Sequence, residues 1–262
     1  MSLLVTLVGS LVVLTAGWAT WRGGLAWAHL PTRRHAAGAL VVALVATGYA
    51  GWTGDYSSYD EPPVPTVAAN PDTALAVLAT LAVKGRAPKT GYDRDLFGPA
   101  WVDTDRNGCD TRNDILGRDL AAKVVKPGTH GCKVLQGLAA PEVYTGTSVR
   151  FVLGGAPDID IDHVVALADA WQKGAQQWPA STRVAFANDP MNLLAVAAAA
   201  NRAKGDGDAA TWLPPNKRYR CTYVARQVGV KAKYRLWVTS AERDAITRIL
   251  STCPDQPVPQ SL

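Results

Sequence analysis

Asp162 and His163 stand side by side in the run I-D-I-D-H-V-V-A-L from Ile159 to Leu167, and an Asn-Leu pair follows at Asn192 and Leu193. Nine residues after Asn192 comes Asn201, and three after that comes Lys204. Hydrolysis of a phosphodiester needs a base to activate water, a hard cation to neutralise charge on the phosphate, and rigid support for both. An imidazole can serve as the base. Carboxylate and amide oxygens are hard ligands that suit Mg²⁺ or Mn²⁺ better than Zn²⁺. An Asp-His pair alone says little, because most histidines are surface or structural residues. The weight lies in the set: Asp-His, then Asn-Leu, then Asn-x-x-Lys within one segment.

The elements that must position these residues can be read from the flanking pattern. Residues 160–167 form an extended segment carrying Asp162-His163, and residues 168–178 a helix closed by Pro179. Residues 191–196 read as a short apolar strand and residues 197–204 as a helix stopped by Gly205, with Asp206 and Asp208 as turn formers beside Gly205 and Gly207. Upstream, residues 133–138 and 147–153 read as strands around the turn Tyr144-Thr145-Gly146. Asn70-Pro71-Asp72 opens a helix with Asn70 as N-cap and Gly85 beyond its end; residues 217–228 and 240–253 are further helices, the last capped by Ser240. Residues 91–120 are too rich in Asp and Arg for a core. Their D-x-D-x-x-G resembles part of a calcium loop, but no Glu stands at the twelfth position of an EF-hand loop, so the segment reads as a solvated loop beside the site.

Hydrophobic residues make up 48% of the 262, a figure raised by two apolar runs near the N-terminus. The net charge of +5 permits a polyanionic partner without demanding one. All four cysteines, Cys109, Cys132, Cys221 and Cys253, lie beyond residue 100, and no C-x-x-C occurs, which speaks against a zinc site and for two disulfides in an oxidising compartment. Three pairings are open; Cys109–Cys132 with Cys221–Cys253 is favoured because each pair brackets one continuous segment.

The run from Leu3 to Trp21 carries no charge and is long enough to cross a bilayer; a second, shorter uncharged run spans Ala36 to Trp52. Arg22, Arg33 and Arg34 lie between them, which puts that loop in the cytoplasm and the large domain outside. A cleaved signal peptide is the competing reading, weakened because no Lys or Arg precedes the first run, and a third reading has the first run as the only span. The expected division is a two-helix transmembrane hairpin over 1–53, a linker over 54–69 stiffened by Pro62, Pro63 and Pro65, and a catalytic domain over 70–262.

The set Asp162-His163, Asn192-Leu193, Asn201 and Lys204 resembles the HNH, or His-Me finger (ββα-metal), nucleases. Their usual pattern is D-H, then N-L, then H or N nine residues on, then K three further. Flanking runs such as G-C-D-T-R-N-D-I-L-G-R-D-L and F-A-N-D-P-M-N-L-L-A-V are similar to secreted or membrane-anchored HNH proteins of actinobacterial type, whose nuclease domain is like the C-terminal domain of GmrSD-type restriction enzymes. The resemblance runs from about Tyr92 to Cys253. It implies an α+β fold, a ββα-metal core with flanking helices and a small antiparallel sheet; the membrane hairpin expected before it lies outside the resemblance. It implies His163 as general base, Asp162 and Asn201 as ligands of one divalent cation (Mg²⁺, with Mn²⁺ as the alternative), and Asn192 as support for the loop bearing His163. Lys204 and Arg202 would touch the substrate, nucleic acid, with DNA favoured over RNA. Asn201 stands where many relatives have His, and P-E-V-Y-T-G at Pro141 departs from the expected D-P-Y-T-G. The alternative function is a non-catalytic module on the same fold that binds nucleic acid or a cell-surface partner.

Overall fold

The computed structural model describes residues 73–156 and 158–259. The expected hairpin, the linker and the Asn70-Pro71-Asp72 helix start lie outside these residues. Among the described residues no helix is long and apolar enough to cross a membrane. The first helix described, α1 (Ala74–Thr80), takes Thr73 as its N-cap, and its buried Ala74 and Leu78 pack on the C-terminal helices.

The polar segment before residue 120 is not all loop. Asp110 accepts a hydrogen bond from the Asn113 amide at 2.9 Å and so caps a helix, α2 (Thr111–Asp119). Ile115 and Leu116 are its only large apolar residues, yet both are fully buried beneath the sheets. Two adjacent apolar positions give too little periodicity to reveal a helix in a charged run, which is why the sequence reads as solvated. The segment continues into β1 (Ala121–Val125), an exposed edge strand also unforeseen, then β2 (Val134–Ala139) and β3 (Val149–Val152); these form an antiparallel sheet in the order β1-β2-β3. The disulfides are Cys109–Cys132 and Cys221–Cys253, the favoured pairing.

A second antiparallel pair joins β4 (Ile159–His163) to β5 (Leu193–Ala197), with Asp162 opposite Leu194 and His163 opposite Leu193. Both faces of this pair are covered. Leu194 and Val196 pack towards the helices, while Ile159, Ile161, Leu193 and Ala195 pack against α2 and β3. Between the strands lie α3 (Leu167–Trp171), a 3₁₀ turn (Ala175–Gln177) and α4 (Ala180–Ala187). The single helix expected over 168–178 is broken at Gly174, whose φ of 132° leaves helical space, and α4 was not foreseen at all. After β5 the chain turns directly into α5 (Ala198–Lys204), ended by Gly205 at φ 56°. The last helices are α6 (Arg220–Lys233) and α7 (Ser240–Leu250). The N-cap of α7 is Thr239 rather than Ser240, in a capping box with Glu242.

An ionic cluster is buried around Lys173. Lys173 Nζ contacts Asp169 at 2.7 Å, Asp208 at 2.8 Å and Glu242 at 2.6 Å. Lys231 bridges Asp169 at 3.1 Å and Glu242 at 2.9 Å, and Arg86 adds contacts to Asp169 and Asp208. Three acids and three bases therefore balance, as burial of so many charges requires. The cluster ties α3, α6, α7 and the turn after α5 together. Asp208, which the sequence suggests is only a turn former, does both: its Oδ1 accepts from the Ala210 amide and its Oδ2 takes the cations.

Candidate active site

Strands β4 and β5 with helix α5 bring Asp162, His163, Asn192, Asn201 and Lys204 into one region. Asn201 and Lys204, three residues apart on α5, share the face that looks down on β4. Asn201 Nδ2 donates to Asp160 Oδ2 at 3.1 Å, which orients the amide. Lys204 is buried. Its Nζ donates to Asp162 Oδ1 at 2.9 Å and to the His163 carbonyl at 2.8 Å, so the ammonium points into the protein. Arg202 is exposed on the same helix and lines neither cavity at His163.

Asn192 is fully buried and clamps the chain after His163. Its Oδ1 accepts from the Val165 amide at 2.8 Å, its Nδ2 donates to the Val165 carbonyl at 3.2 Å, and its own carbonyl accepts from the Val164 amide at 2.8 Å. The N-D-P-M-N-L run is pinned from outside as well: Arg118 donates to the Pro190 and Leu193 carbonyls at 2.8 and 2.7 Å.

His163 Nε2 lies 2.8 Å from the Ala187 carbonyl. A carbonyl can only accept, so Nε2 carries the proton and Nδ1 keeps its lone pair. The acceptor is one of the C-terminal carbonyls of α4, which have no partner within the helix. Burial disfavours the charged imidazolium and outweighs the Ala187 bond, bringing the pKa down to about 3, with the Arg94 and Lys204 charges adding to the fall. The ring is therefore neutral at neutral pH. Trp101 stacks on it with ring centroids 6.2 Å apart and planes 11° apart. Trp101 holds φ at 64°, a conformation a bulky side chain rarely adopts. Asn188, next to Ala187, fixes this segment by accepting from the Val102 amide at 3.0 Å.

Asp162 is buried, and burial pushes its carboxyl up from the ordinary carboxylate range, opposed by the Lys204 ammonium and by Tyr144. Tyr144 Oη donates to Asp162 Oδ2 at 2.6 Å. Tyr144 belongs to the turn P-E-V-Y-T-G, where Glu142 accepts from the Tyr144 and Thr145 amides at 2.8 and 2.9 Å. That turn was the only sign of it in the sequence, and it departs from the expected pattern.

Asp162, His163 and Asn201 line one cavity of about 270 Å³, closed on another side by Tyr92 and Arg94. Among the described residues no three His, Cys, Asp or Glu side chains converge on a metal-sized site. One carboxylate and one amide oxygen remain as donors. Each Asp162 oxygen has one lone pair left beyond its single hydrogen bond, and Asn201 Oδ1 is released because Nδ2 makes the contact to Asp160. Such a donor set fits a hard cation that keeps most of its water, as Mg²⁺ does.

Residues 110–249 match the family model of the C-terminal domain of GmrSD restriction endonucleases. The chain belongs to this family. A described secreted protein of Arthroderma benhamiae is 42% identical over 195 residues, spanning 73% of this chain and 91% of that protein. No solved structure matches. The GmrSD C-terminal match takes in every site residue so far named except Tyr92, Arg94, Trp101 and Val102, which precede it. Family membership gives the coarse class, a nuclease-type domain on a mixed α+β fold with small antiparallel sheets.

Proposed function

We propose that this protein is an HNH-type endonuclease that hydrolyses phosphodiester bonds of nucleic acid outside the cytoplasm. The observation that carries the reading is the fixed tautomer of His163. With Nε2–H held by the Ala187 carbonyl, Nδ1 is a free base beside a carboxylate and an amide. Asp162 and Asn201 would hold a divalent cation, Mg²⁺ or Mn²⁺, which supplies neutralisation of the phosphate charge when bound. His163 Nδ1 takes a proton from water as the water oxygen attacks phosphorus. The phosphorus–oxygen bond to one sugar then breaks, and the departing sugar oxygen takes a proton from solvent water. The low proton affinity of the buried imidazole rises when an anionic phosphate enters beside it, because the anion favours the imidazolium. Asn192 keeps the ring in register by fixing Val164 and Val165. Lys204 acts as a positioning residue, holding Asp162 ionised and anchoring the His163 carbonyl.

The two disulfides and the secreted relative support action in an oxidising, extracytoplasmic setting. The uncharged runs over residues 3–21 and 36–52 would tether the domain to the bilayer, a part of the reading that rests on sequence alone. DNA is the favoured substrate. Incubating the chain with plasmid DNA and with RNA, with Mg²⁺ or with a chelator, tests the activity: cutting that needs the cation is expected, and no cutting with any common divalent ion would contradict it.

A further inference from the structure

We propose that Arg94 is the phosphate clamp of this site, contacting the backbone of the nucleic acid next to His163. The inference rests on the reading of the site as a nuclease and adds a substrate-binding residue that lies outside the family match. Arg94 lines two cavities at once. One is the cavity of about 270 Å³ that holds Asp162, His163 and Asn201. The other, of about 90 Å³, lies on the Trp101 side of the same imidazole. His163 is the only other residue with a titratable side chain common to both linings, so the guanidinium sits where a strand passing the base would place its phosphates.

Most of the other charges around the site are already engaged. Lys204 is turned inward to Asp162. Lys89 is paired with Asp206 at 2.8 Å, which also answers that carboxylate at the cavity rim. Asp93 accepts from the Asp95 amide at 3.0 Å as the cap of its own turn, and Asp95 is the remaining acid on the smaller cavity. Among the described residues Arg94 donates to no carboxylate. An exposed, unpaired guanidinium beside a proposed base suits a phosphodiester, whose two free oxygens match its fork of donors.

The backbone that carries Arg94 is also held in register with His163. Arg94 opens the 3₁₀ turn Arg94–Phe97, and this turn is bolted to α4. Phe97 is buried against Phe186 with centroids 6.2 Å apart, and Arg183 donates to the Leu96 carbonyl at 2.9 Å. Gly98 ends the turn at φ 84°, where a Cβ would lie 2.5 Å from Val184. The same helix α4 supplies the Ala187 carbonyl that fixes His163. One rigid element therefore sets both the base and the turn that carries the clamp, a condition for productive geometry.

The test uses the full chain carrying His163→Ala, so that binding is read without cutting. Fluorescence anisotropy with a labelled DNA duplex is measured over a range of salt concentrations, in the presence of Mg²⁺, for Arg94→Ala and Arg94→Lys. Arg94→Ala is expected to weaken binding of every sequence alike and to lower the salt slope by about one. Arg94→Lys should keep the slope but recover only part of the affinity, because it keeps the charge and loses the fork. Affinity and slope unchanged in Arg94→Ala would overturn the clamp. Failure of the wild type to cut nucleic acid is scored in a separate assay and would overturn the nuclease reading instead.

Discussion

Tyr144 donates its phenolic hydrogen to Asp162 Oδ2 at 2.6 Å, across eighteen positions of sequence and inside the core. Burial and the Asp162 carboxylate together hold the Tyr144 hydroxyl protonated, well above its ordinary range, so it remains a donor at any working pH. The bond orients the carboxylate that faces the cavity and favours its ionised form. Supporting contacts of this kind are worth roughly 10- to 100-fold in metal affinity.

Tyr144→Phe should therefore weaken Mg²⁺ or Mn²⁺ binding by roughly 10- to 100-fold and destabilise the fold by about 1–3 kcal/mol, since Asp162 loses a buried partner. Isothermal titration with each metal, beside a thermal melt, reads both. Unaltered metal affinity would remove Tyr144 from the site.

Lys204→Met keeps the length of the side chain and deletes its charge. The pair with Asp162 is buried, with side-chain exposures of 0% and 5%, so its loss should cost about 3–5 kcal/mol and lower Tm. A solvated lysine touching only substrate would leave Tm unchanged and alter KM alone, and that result would restore the role first suggested by the sequence.

The pairing of β4 with β5 and the helix that follows were legible because their spacing is local. Asn201 and Lys204 share a face by helical periodicity, and β5 runs into α5 without a gap. What could not be read depends on contacts between distant segments. Lys173 meets Asp208 and Glu242 across separations of 35 and 69 residues, and nothing near any of them in sequence marks the charge as buried. Helix α2 hides in a charged run because Ile115 and Leu116 are its only large apolar residues facing inward. Trp101 and Arg94 lie in a turn-rich stretch with no periodic pattern to aim them, so their approach to His163 appears only once α4 is in place.

The buried ionic cluster makes acid stability a measurable property. Burial alone would raise the Asp169 carboxyl, but the Lys231 and Lys173 ammonium groups and Arg86 overcome it and hold its pKa at about 2. An unfolded Asp titrates near 3.9, roughly two units higher. The folded value is the lower one, so Asp169 contributes about 2–3 kcal/mol that is fully present above about pH 4 and is lost as pH falls towards 2. Melts at pH 6, 4, 3 and 2 should show Tm dropping steeply through this window. Lys173→Met should shift the acid midpoint upward, and an unshifted midpoint would contradict the account.

The disulfides close loops with sequence separations of 23 and 32 residues. Loop entropy alone assigns each about 3–4 kcal/mol. Melting with and without reductant, with thiol content verified by alkylation, should show a clear loss of Tm on reduction. Equal melts of the reduced and oxidised forms would remove the stabilising role.

The central claim is that His163 Nδ1 is the general base. The direct measurement is the rate of DNA cleavage by His163→Ala against the wild type at saturating Mg²⁺, with a thermal melt to show that both are folded. Loss of a general base is typically worth roughly 10²- to 10⁴-fold in rate, and a fall of that size with metal binding retained is the predicted result. Cleavage by His163→Ala at the wild-type rate would contradict it.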